Sequence, residues 1–116
     1  MDDCIFCKIA RGEVSSKKIY WGDNFFVIPD ANPLVEGHSL VISKKHFENI
    51  LDLPSNLGLE LLDTIKKSSM ILMKKFDATG FNVVQNNFKS AGQIVKHVHF
   101  HLVPRKDDDG LKVFEK

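Results

Sequence analysis

The sequence predicts a single α+β domain over residues 1–116, with a five-stranded antiparallel sheet, one long helix and a short N-terminal helix. Three observations favour this fold class. Apolar and polar residues alternate near the end of Gln93–Val103, which is the period of a β-strand. Apolar residues recur at helical spacing from Ser55 to about Asp77. A length of 116 residues suffices for one hydrophobic core and is too short for two.

The composition is that of a globular protein, with 43% hydrophobic and 27% charged residues. A formal net charge of +1 gives no general attraction to nucleic acid, and no apolar run is long enough to span a bilayer. The start, Met1–Cys4, lacks the basic and apolar regions of a signal peptide. We therefore expect a cytoplasmic protein with no nucleic-acid or membrane partner.

The N-terminal part predicts one helical turn and three strands. Residues 4–10 form a short helical turn that aims two thiols the same way, and Gly12 suits the left-handed cap that ends it. The β-branched and aromatic runs Lys17–Trp21 and Asn24–Pro29 form a hairpin around residues 22 and 23. After a polar loop, Ser39–Ser43 forms the third strand.

The C-terminal part predicts the long helix and two more strands. The helix from Ser55 to about Asp77 places most of its lysines away from its apolar side. Gly80 breaks this helix, and residues 81–85 form a strand. Residues 86–92 form a polar turn, Gln93–Val103 forms the last strand, and residues 106–116 form a solvated loop and tail. Pro104 has no amide hydrogen for a neighbouring strand, so it either ends the last strand or marks its rim.

The last strand carries three of the five histidines at a spacing of two. Their side chains therefore lie on one face of the sheet, about 6.5–7 Å apart along the strand, and the apolar residues between them are buried on the other face. Single histidines on strands usually make structural hydrogen bonds. Three in register each bring ring nitrogens that need partners, so their clustering favours a functional site. The histidines are His97, His99 and His101, and the apolar residues are Val98, Phe100 and Leu102.

A neutral imidazole is a good nucleophile at physiological pH, and it can attack phosphorus to form a covalent intermediate. Such a centre also needs hydrogen-bond donors for the phosphoryl oxygens. The turn before the histidines offers side-chain amides from Asn86 and Gln93. Ordinary turn chemistry also explains asparagines at such a position, so the pattern leaves both interpretations open.

A second group of residues has the chemistry of a zinc site. The only two cysteines, Cys4 and Cys7, stand three residues apart, a spacing common in zinc sites. In a reducing compartment such a pair serves metal binding or redox chemistry rather than a lasting disulfide. His46 and His97 lie at strand ends and can complete a tetrahedral set. The alternative is that the two cysteines are small buried apolar residues.

The motif His97–Val103 resembles the His-φ-His-φ-His-φ-φ motif of the histidine triad (HIT) superfamily, where φ is apolar. The segment beginning at Cys4 resembles the zinc-binding start of its Hint-like and bacterial branch. The segments 30–46, 80–84 and 91–93 are also similar to the family pattern, so the likeness covers nearly the whole chain. The resemblance implies the HIT fold, a homodimer with a continuous sheet, and an enzyme that acts on purine nucleotides.

The resemblance also implies a role for each matching residue. His99 would be the nucleophile, His101 would contact the phosphate and bridging oxygens, and His38 would support them. A structural Zn²⁺ would be held by residues 4, 7, 46 and 97, and the purine would lie in an apolar cleft. Asp30 would bind the ribose hydroxyls, although an aspartate before Asn32-Pro33 is otherwise a turn residue. The phosphate contacts would be Asn86 and Gln93, the zinc ligands Cys4, Cys7, His46 and His97, and the cleft residues Phe6, Phe26 and Ile28.

Two positions depart from the family pattern. Ile94 stands where many members carry a serine or threonine hydroxyl that helps the phosphate or leaving group. Phe88 stands where many have glycine, and because phenylalanine resists positive φ, we expect this turn to take another shape.

Three functions are consistent with the sequence. The first is a hydrolase or nucleotidyl transferase that cleaves phosphoramidates, acyl adenylates or dinucleoside polyphosphates through a nucleotidyl-histidine. The second is a nucleotide-binding homodimer with weak catalysis, which Ile94 and Phe88 favour. The third is a metal-handling protein in which all five histidines bind metals.

Overall fold

The computed structural model describes residues 3–112, which form two α-helices and five strands. The strands make one sheet in which every neighbouring pair is antiparallel, and their order, by position along the chain, is first, second, third, fifth and fourth. The predicted α+β fold is thus confirmed. The elements are α1 (Ile5–Ala10), β1 (Tyr20–Trp21), β2 (Phe25–Pro29), β3 (Ser39–Ser43), α2 (Gly58–Lys75), β4 (Gly80–Val84) and β5 (His99–Arg105).

The sheet separates two apolar clusters. On one side, Phe100 and Leu102 of β5 pack with Leu72 of α2. On the other side, Phe6 of α1 packs with residues of β2 and β3. Because successive side chains of a strand point to opposite faces, the histidines of β5 lie on the α1 side. The ring of His99 accordingly packs edge-on against the ring of Phe6, 5.2 Å away.

The strand order places His99 and His101 on an interior strand of the sheet, next to the edge strand β4. β5 lies between β3 and β4, and it pairs His99 with Ile42 and His101 with Leu40. Ile42 and Leu40 belong to the apolar cluster on the α1 side, and directly opposite residues share a face. Each histidine is therefore held by a buried aliphatic neighbour.

The last strand begins later than predicted. It starts at His99, and residues 93–98 take another path. The Val98 amide donates to the Phe47 carbonyl at 2.7 Å, and the His97 amide donates to the Val95 carbonyl at 2.9 Å. These bonds bend the chain toward the loop after β3. The prediction that His97 lies on the strand is therefore wrong, although Val98 is buried on the predicted side.

The other boundary differences are small. A 3-10 turn over Ser55–Leu57 precedes α2, which ends at Lys75, and β1 is shorter than its predicted run. Of the two alternatives for Pro104, the structure supports the rim: Pro104 lies within β5, beyond the last residue paired with β3, and pairs with Phe81 of the edge strand β4. The guanidinium of Arg105 donates to Asn82 and to the carboxylate of Asp109, which folds the following turn back onto the sheet. Residues 113–116 of the predicted tail lie outside the described residues.

Candidate active site and metal centre

A cavity of about 470 Å³ lies on the α1 side of the sheet. Its walls are mainly apolar. The histidines of β5 reach it because their period-two spacing turns both rings to this face. Helix α1, β2 and β3 supply Ile5, Phe6, Ile9, Ile28 and Leu40, and the polar lining includes Asp30, Asn86, His99 and His101.

The backbone fixes which nitrogen of His99 faces this cavity. Its Nδ1 lies 2.7 Å from the carbonyl oxygen of His97, which can only accept a hydrogen bond. The proton of the neutral ring therefore sits on Nδ1. The lone pair of Nε2 is left for the cavity, which His99 lines. A nucleophilic nitrogen needs this arrangement.

A chain of three groups fixes the opposite arrangement at His101. The amide of Leu34 donates to Nδ1 of His38 at 3.0 Å, so the proton of His38 is on Nε2. That Nε2 lies 2.9 Å from Nδ1 of His101 and donates to it. His101 therefore carries its own proton on Nε2. The cavity receives a lone pair from His99 and an N–H from His101, and the two ring centroids are 5.2 Å apart.

Burial keeps the imidazole rings of His101 and His38 neutral. It lowers the pKa of His101 to about 4, and the neighbouring His99 and His38 act in the same direction. The carboxylate of Asp30 opposes this shift. Burial also lowers the pKa of His38, again against Asp30. At neutral pH the hydrogen-bond relay from the Leu34 amide through His38 to His101 therefore consists of uncharged imidazoles, which can both donate and accept.

Asp30 takes part in a turn and in the site at once. One carboxylate oxygen accepts from the amide of Asn32 at 2.9 Å, which is the turn chemistry expected before a proline. The other lies 3.4 Å from Nε2 of His38 and 3.8 Å from Nδ1 of His101. The carboxylate also lines the cavity. We call Asp30, His38, His99 and His101 the reaction cluster.

The two predicted amides are placed differently. Asn86 lines the cavity. The side-chain amide of Gln93 is bonded to the backbone: it accepts from the Phe88 amide at 2.7 Å and donates to the Val95 carbonyl at 3.1 Å and to the Glu48 carbonyl in the segment after β3. Gln93 is not among the residues that line the cavity, so the structure does not bring it to a phosphate position.

Phe88 does adopt positive φ, at 70°, where the sequence led us to expect a different turn. The bond from its amide to Gln93 Oε1 holds this conformation, and the carbonyl of Phe88 accepts from the amides of Ala91 and Gln93 at 3.1 Å each. Left-handed backbone at a bulky side chain costs about 1–3 kcal/mol and persists only where neighbours enforce it.

The four predicted metal ligands converge. We call Cys4, Cys7, His46 and His97 the metal cluster, and their ligand atoms all lie within 4.8 Å of one another. Sγ of Cys4 is 3.3 Å from Nδ1 of His97, and Sγ of Cys7 is 3.3 Å from Nδ1 of His46. Sulfur and nitrogen ligands of a tetrahedral zinc ion lie about 3.5 Å apart. The donor set and its spacing therefore fit Zn²⁺.

The surroundings of His97 support this assignment. Its Nε2 donates to the carbonyl of Ser43 at 2.7 Å, which leaves the Nδ1 lone pair to face the cysteines. Such a hydrogen bond to a backbone carbonyl is the usual partner of a metal-binding histidine. Burial lowers the pKa of His97 to about 4, so the ring is neutral, as a ligand must be.

Sequence reasoning missed some residues that line the cavity or orient the histidines, and it placed one residue in the cavity that does not line it. Phe26, predicted to line the cleft, is fully buried in the α1-side cluster and does not reach the cavity. Ile5 and Ile9 line it instead, and their spacing of four along a helix could have revealed them. The carbonyl of Ser43 and the amide of Leu34 carry no sequence signal, because any residue has them.

Comparison with known proteins identifies the family. The HIT domain model matches residues 11–108. An uncharacterized HIT-like protein of Methanocaldococcus jannaschii is 42% identical over 92% of this chain and 82% of its own length. The adenosine 5'-monophosphoramidase of Candida albicans is 38% identical over 90% of this chain and 72% of its own.

A solved structure extends the likeness to the fold. The zinc-bound histidine triad family protein of Mycobacterium smegmatis superposes with a TM-score of 0.90 at 32% identity, over 99% of this chain and 84% of that one. Within residues 3–112, no helix is long and apolar enough to cross a membrane. The family model covers most of the chain, and both relatives exceed 30% identity over more than two thirds of their length. This chain therefore belongs to the HIT family.

Proposed function

We propose that this protein is a nucleotide hydrolase or nucleotidyl transferase that cleaves purine nucleotide conjugates at the α-phosphorus, with His99 as the nucleophile. The observation that carries the proposal is the opposed pair of Nε2 atoms in one cavity: a lone pair on His99 and an N–H on His101. The relative named as an adenosine 5'-monophosphoramidase supports a phosphoramidate substrate. Acyl adenylates and dinucleoside polyphosphates contain the same α-phosphorus.

In the first step, Nε2 of His99 attacks the α-phosphorus, and the bond from phosphorus to the leaving nitrogen breaks. The leaving nitrogen takes up a proton, and His101 presents its N–H at that position. The bond from Nδ1 of His99 to the His97 carbonyl holds the ring while it gains positive charge. The product of this step is an adenylyl group on His99 and a released amine.

In the second step, water attacks the same phosphorus, and the bond from phosphorus to Nε2 breaks. The proton that the water loses replaces the proton that the leaving group took. The net reaction converts a phosphoramidate and water into AMP and an amine. A different acceptor in place of water would make the same intermediate a nucleotidyl transferase.

The cavity divides naturally between the parts of a nucleotide. The apolar wall of Ile5, Phe6 and Ile9 suits a purine, which buries its faces against aliphatic and aromatic side chains. Asp30 also lines the cavity, and a ribose hydroxyl can donate to its carboxylate. Among the described residues the side-chain amide of Asn86 has no protein partner, so it can donate to a phosphoryl oxygen.

We propose Zn²⁺ as the ion of the metal cluster. When bound, it would act as a structural cross-link between α1 and the segments that carry His46 and His97. No step of the proposed reaction passes through it.

We also propose a homodimer through β4 and α2. β4 is an edge strand, and Phe81 and Val83 are exposed on it. Val83 pairs with Leu102, which lies in the cluster beneath α2, so both exposed residues lie on the α2 side. The neighbouring helix also exposes apolar side chains, and such a patch on an edge strand suits pairing with a second copy. These are Leu59, Leu62, Met70 and Ile71.

Sedimentation equilibrium tests the dimer. We expect the mass of two chains for the wild type and of one chain for Val83→Asp. Leu34→Asp, at an exposed loop residue between β2 and β3, is the control and should stay dimeric. A monomeric wild type at micromolar concentration would contradict the proposal.

The activity is tested by hydrolysis of adenosine 5'-phosphoramidate, followed as AMP release by chromatography. His99→Asn keeps an N–H for the His97 carbonyl and removes the nucleophilic nitrogen. We expect its turnover to fall by about 10³-fold or more, with little change in AMP affinity. Lys89→Gln, outside the cavity, serves as the control. Equal turnover in His99→Asn and wild type would refute the assignment.

The alternative is a nucleotide-binding dimer with little catalysis. Ile94 favours it, because this residue lines the cavity, is 91% exposed and offers no hydroxyl where many family members have one. The same assay decides between them. The alternative would be supported if the wild type binds AMP but releases none from the phosphoramidate, and if Ile94→Ser restores the release.

A further inference from the structure

Helix α1 belongs to two sites at once. Cys4, its N-cap residue, and Cys7, in its first turn, belong to the metal cluster. Ile5, Phe6 and Ile9 of the same helix form a wall of the cavity. This six-residue helix and its N-cap residue Cys4 thus carry half of the metal cluster and much of the apolar surface available to a purine.

This helix has little stability of its own. A helix of six residues is far below the length at which isolated helices persist in water. Its N-cap residue, Cys4, makes no side-chain capping bond. Its position therefore depends on the apolar cluster beneath it and on whatever holds its two thiols.

Phe6 links the two sites most directly. It is buried, at 7% exposure, and its ring packs edge-on against two histidine rings. The centroid distances are 5.6 Å to His97 of the metal cluster and 5.2 Å to His99 of the reaction cluster. His97 also contacts both clusters, because its ring faces the thiols and its carbonyl accepts from Nδ1 of His99.

We propose that occupancy of the metal cluster sets the affinity of the cavity for nucleotide, and that Phe6 is the positioning residue that transmits the effect. The proposal rests on the proposed function in one respect, that the cavity binds a nucleotide. Metal binding fixes α1 through its thiols and thereby fixes Phe6, Ile5 and Ile9 against the cavity. Loss of the ion releases the helix, and the apolar wall loses its fixed position.

Such coupling is reciprocal. If the ion raises the affinity for nucleotide by some factor, nucleotide raises the affinity for the ion by the same factor. The coupling can therefore be measured on the metal side, with no reaction taking place. A merely structural ion would bind equally well with and without nucleotide.

The experiment measures Zn²⁺ affinity of the full chain by competition with a chromophoric chelator, with and without saturating AMP. We expect AMP to tighten Zn²⁺ binding by about 10-fold, within the usual range for coupled sites. In Phe6→Leu, which keeps an apolar side chain but removes the ring, this factor should fall below about 2-fold. Phe25→Leu is the matched control: Phe25 is also buried but lies in the cluster on the α2 side of the sheet, away from α1, so the variant should keep the full factor.

The outcomes separate this inference from the proposed function. Equal Zn²⁺ affinity with and without AMP, in protein that binds AMP, would overturn the coupling and leave the proposed function standing. Loaded protein that does not bind AMP would overturn both. A Phe6→Leu variant with the full factor would overturn the role of Phe6.

Fluorescence of Trp21, the only tryptophan, checks that the effect is local. Its ring lies 4.9 Å from that of Phe26, in the same cluster as Phe6. We expect the metal-free protein to keep a cooperative unfolding transition by this signal. A metal-free chain that is already unfolded would overturn the proposal, because the ion would then stabilise the whole fold rather than the cavity wall.

Discussion

His97 and His99 are two residues apart, and their rings have opposite roles in the two clusters. His97 donates from Nε2 to the Ser43 carbonyl and presents its Nδ1 lone pair to two thiols. His99 donates from Nδ1 to the His97 carbonyl and presents its Nε2 lone pair to the cavity. In each case a hydrogen bond to one backbone carbonyl determines which ring nitrogen keeps its lone pair for a ligand or substrate. If the proposed roles hold, position relative to backbone carbonyls, rather than residue type, distinguishes the metal ligand from the nucleophile.

The first prediction compares the stability lost when one residue is replaced in each cluster. We expect Cys7→Ser to lower the free energy of unfolding by about 3 kcal/mol or more, because metal binding contributes directly to folding. His99→Asn should lower it by only about 1 kcal/mol, the cost of one altered buried hydrogen bond. Urea denaturation of zinc-loaded protein measures both. Equal losses in the two variants would show that the clusters do not differ in this way.

The second prediction concerns the relay that orients His101. Replacing His38 by leucine removes the N–H that fixes the tautomer of His101, and we expect kcat to fall by about 10²-fold. The matched variant His38→Gln offers a side-chain amide to the same nitrogen and should recover at least about 10-fold of that loss. Steady-state hydrolysis of adenosine 5'-phosphoramidate measures both. Identical kcat values for the two variants would argue that His38 acts only through packing.

The third prediction is a pH dependence of stability. The pKa of His101 is about 4 in the folded protein, below the value of about 6.5 for an unfolded chain. The unfolded chain therefore binds more protons between these values. The stabilisation is complete above about pH 6.5 and is lost as the pH falls toward about 4, by on the order of 2 kcal/mol.

Urea denaturation between pH 7 and pH 4 checks this, with His101→Gln as the comparison. The variant lacks the titrating group, so its stability should fall less steeply over the same range. Equal slopes for wild type and variant would show that His101 titrates alike in the folded and unfolded states.

The smallest predicted effect lies in the turn beside the reaction cluster. Phe88→Gly should raise the free energy of unfolding by about 1 kcal/mol, because glycine adopts φ of 70° without the strain that phenylalanine carries. Phe88→Ala removes the ring but keeps the strain, and it should give no gain. A more stable alanine variant would mean that the exposed ring, rather than the backbone, is the source of the strain.

The alternation of β5 was predictable because period two depends only on local backbone geometry. It correctly placed Phe100 and Leu102 beneath α2 and the histidines of β5 opposite them. The start of the strand was not predictable, because it depends on the bond between Val98 and Phe47, 51 residues away along the chain.

The same limit applies within the site. The sequence predicts Gln93 as a phosphate ligand, yet its amide bonds to backbone groups of its own loop and to the Glu48 carbonyl. The bond to its side chain also imposes the φ of Phe88 that residue type argues against. The nitrogen that each histidine presents likewise depends on carbonyls brought close only by folding.

In the proposed mechanism, Nε2 of His99 carries the nucleotide during the reaction. Intact-protein mass spectrometry after rapid quenching with adenosine 5'-phosphoramidate, under conditions that avoid acid, tests it most directly. We expect one added adenylyl group on the wild type, located at His99 by peptide mapping, and none on His99→Asn. An adduct at another residue, or AMP release with no adduct at any time point in the wild type, would contradict it.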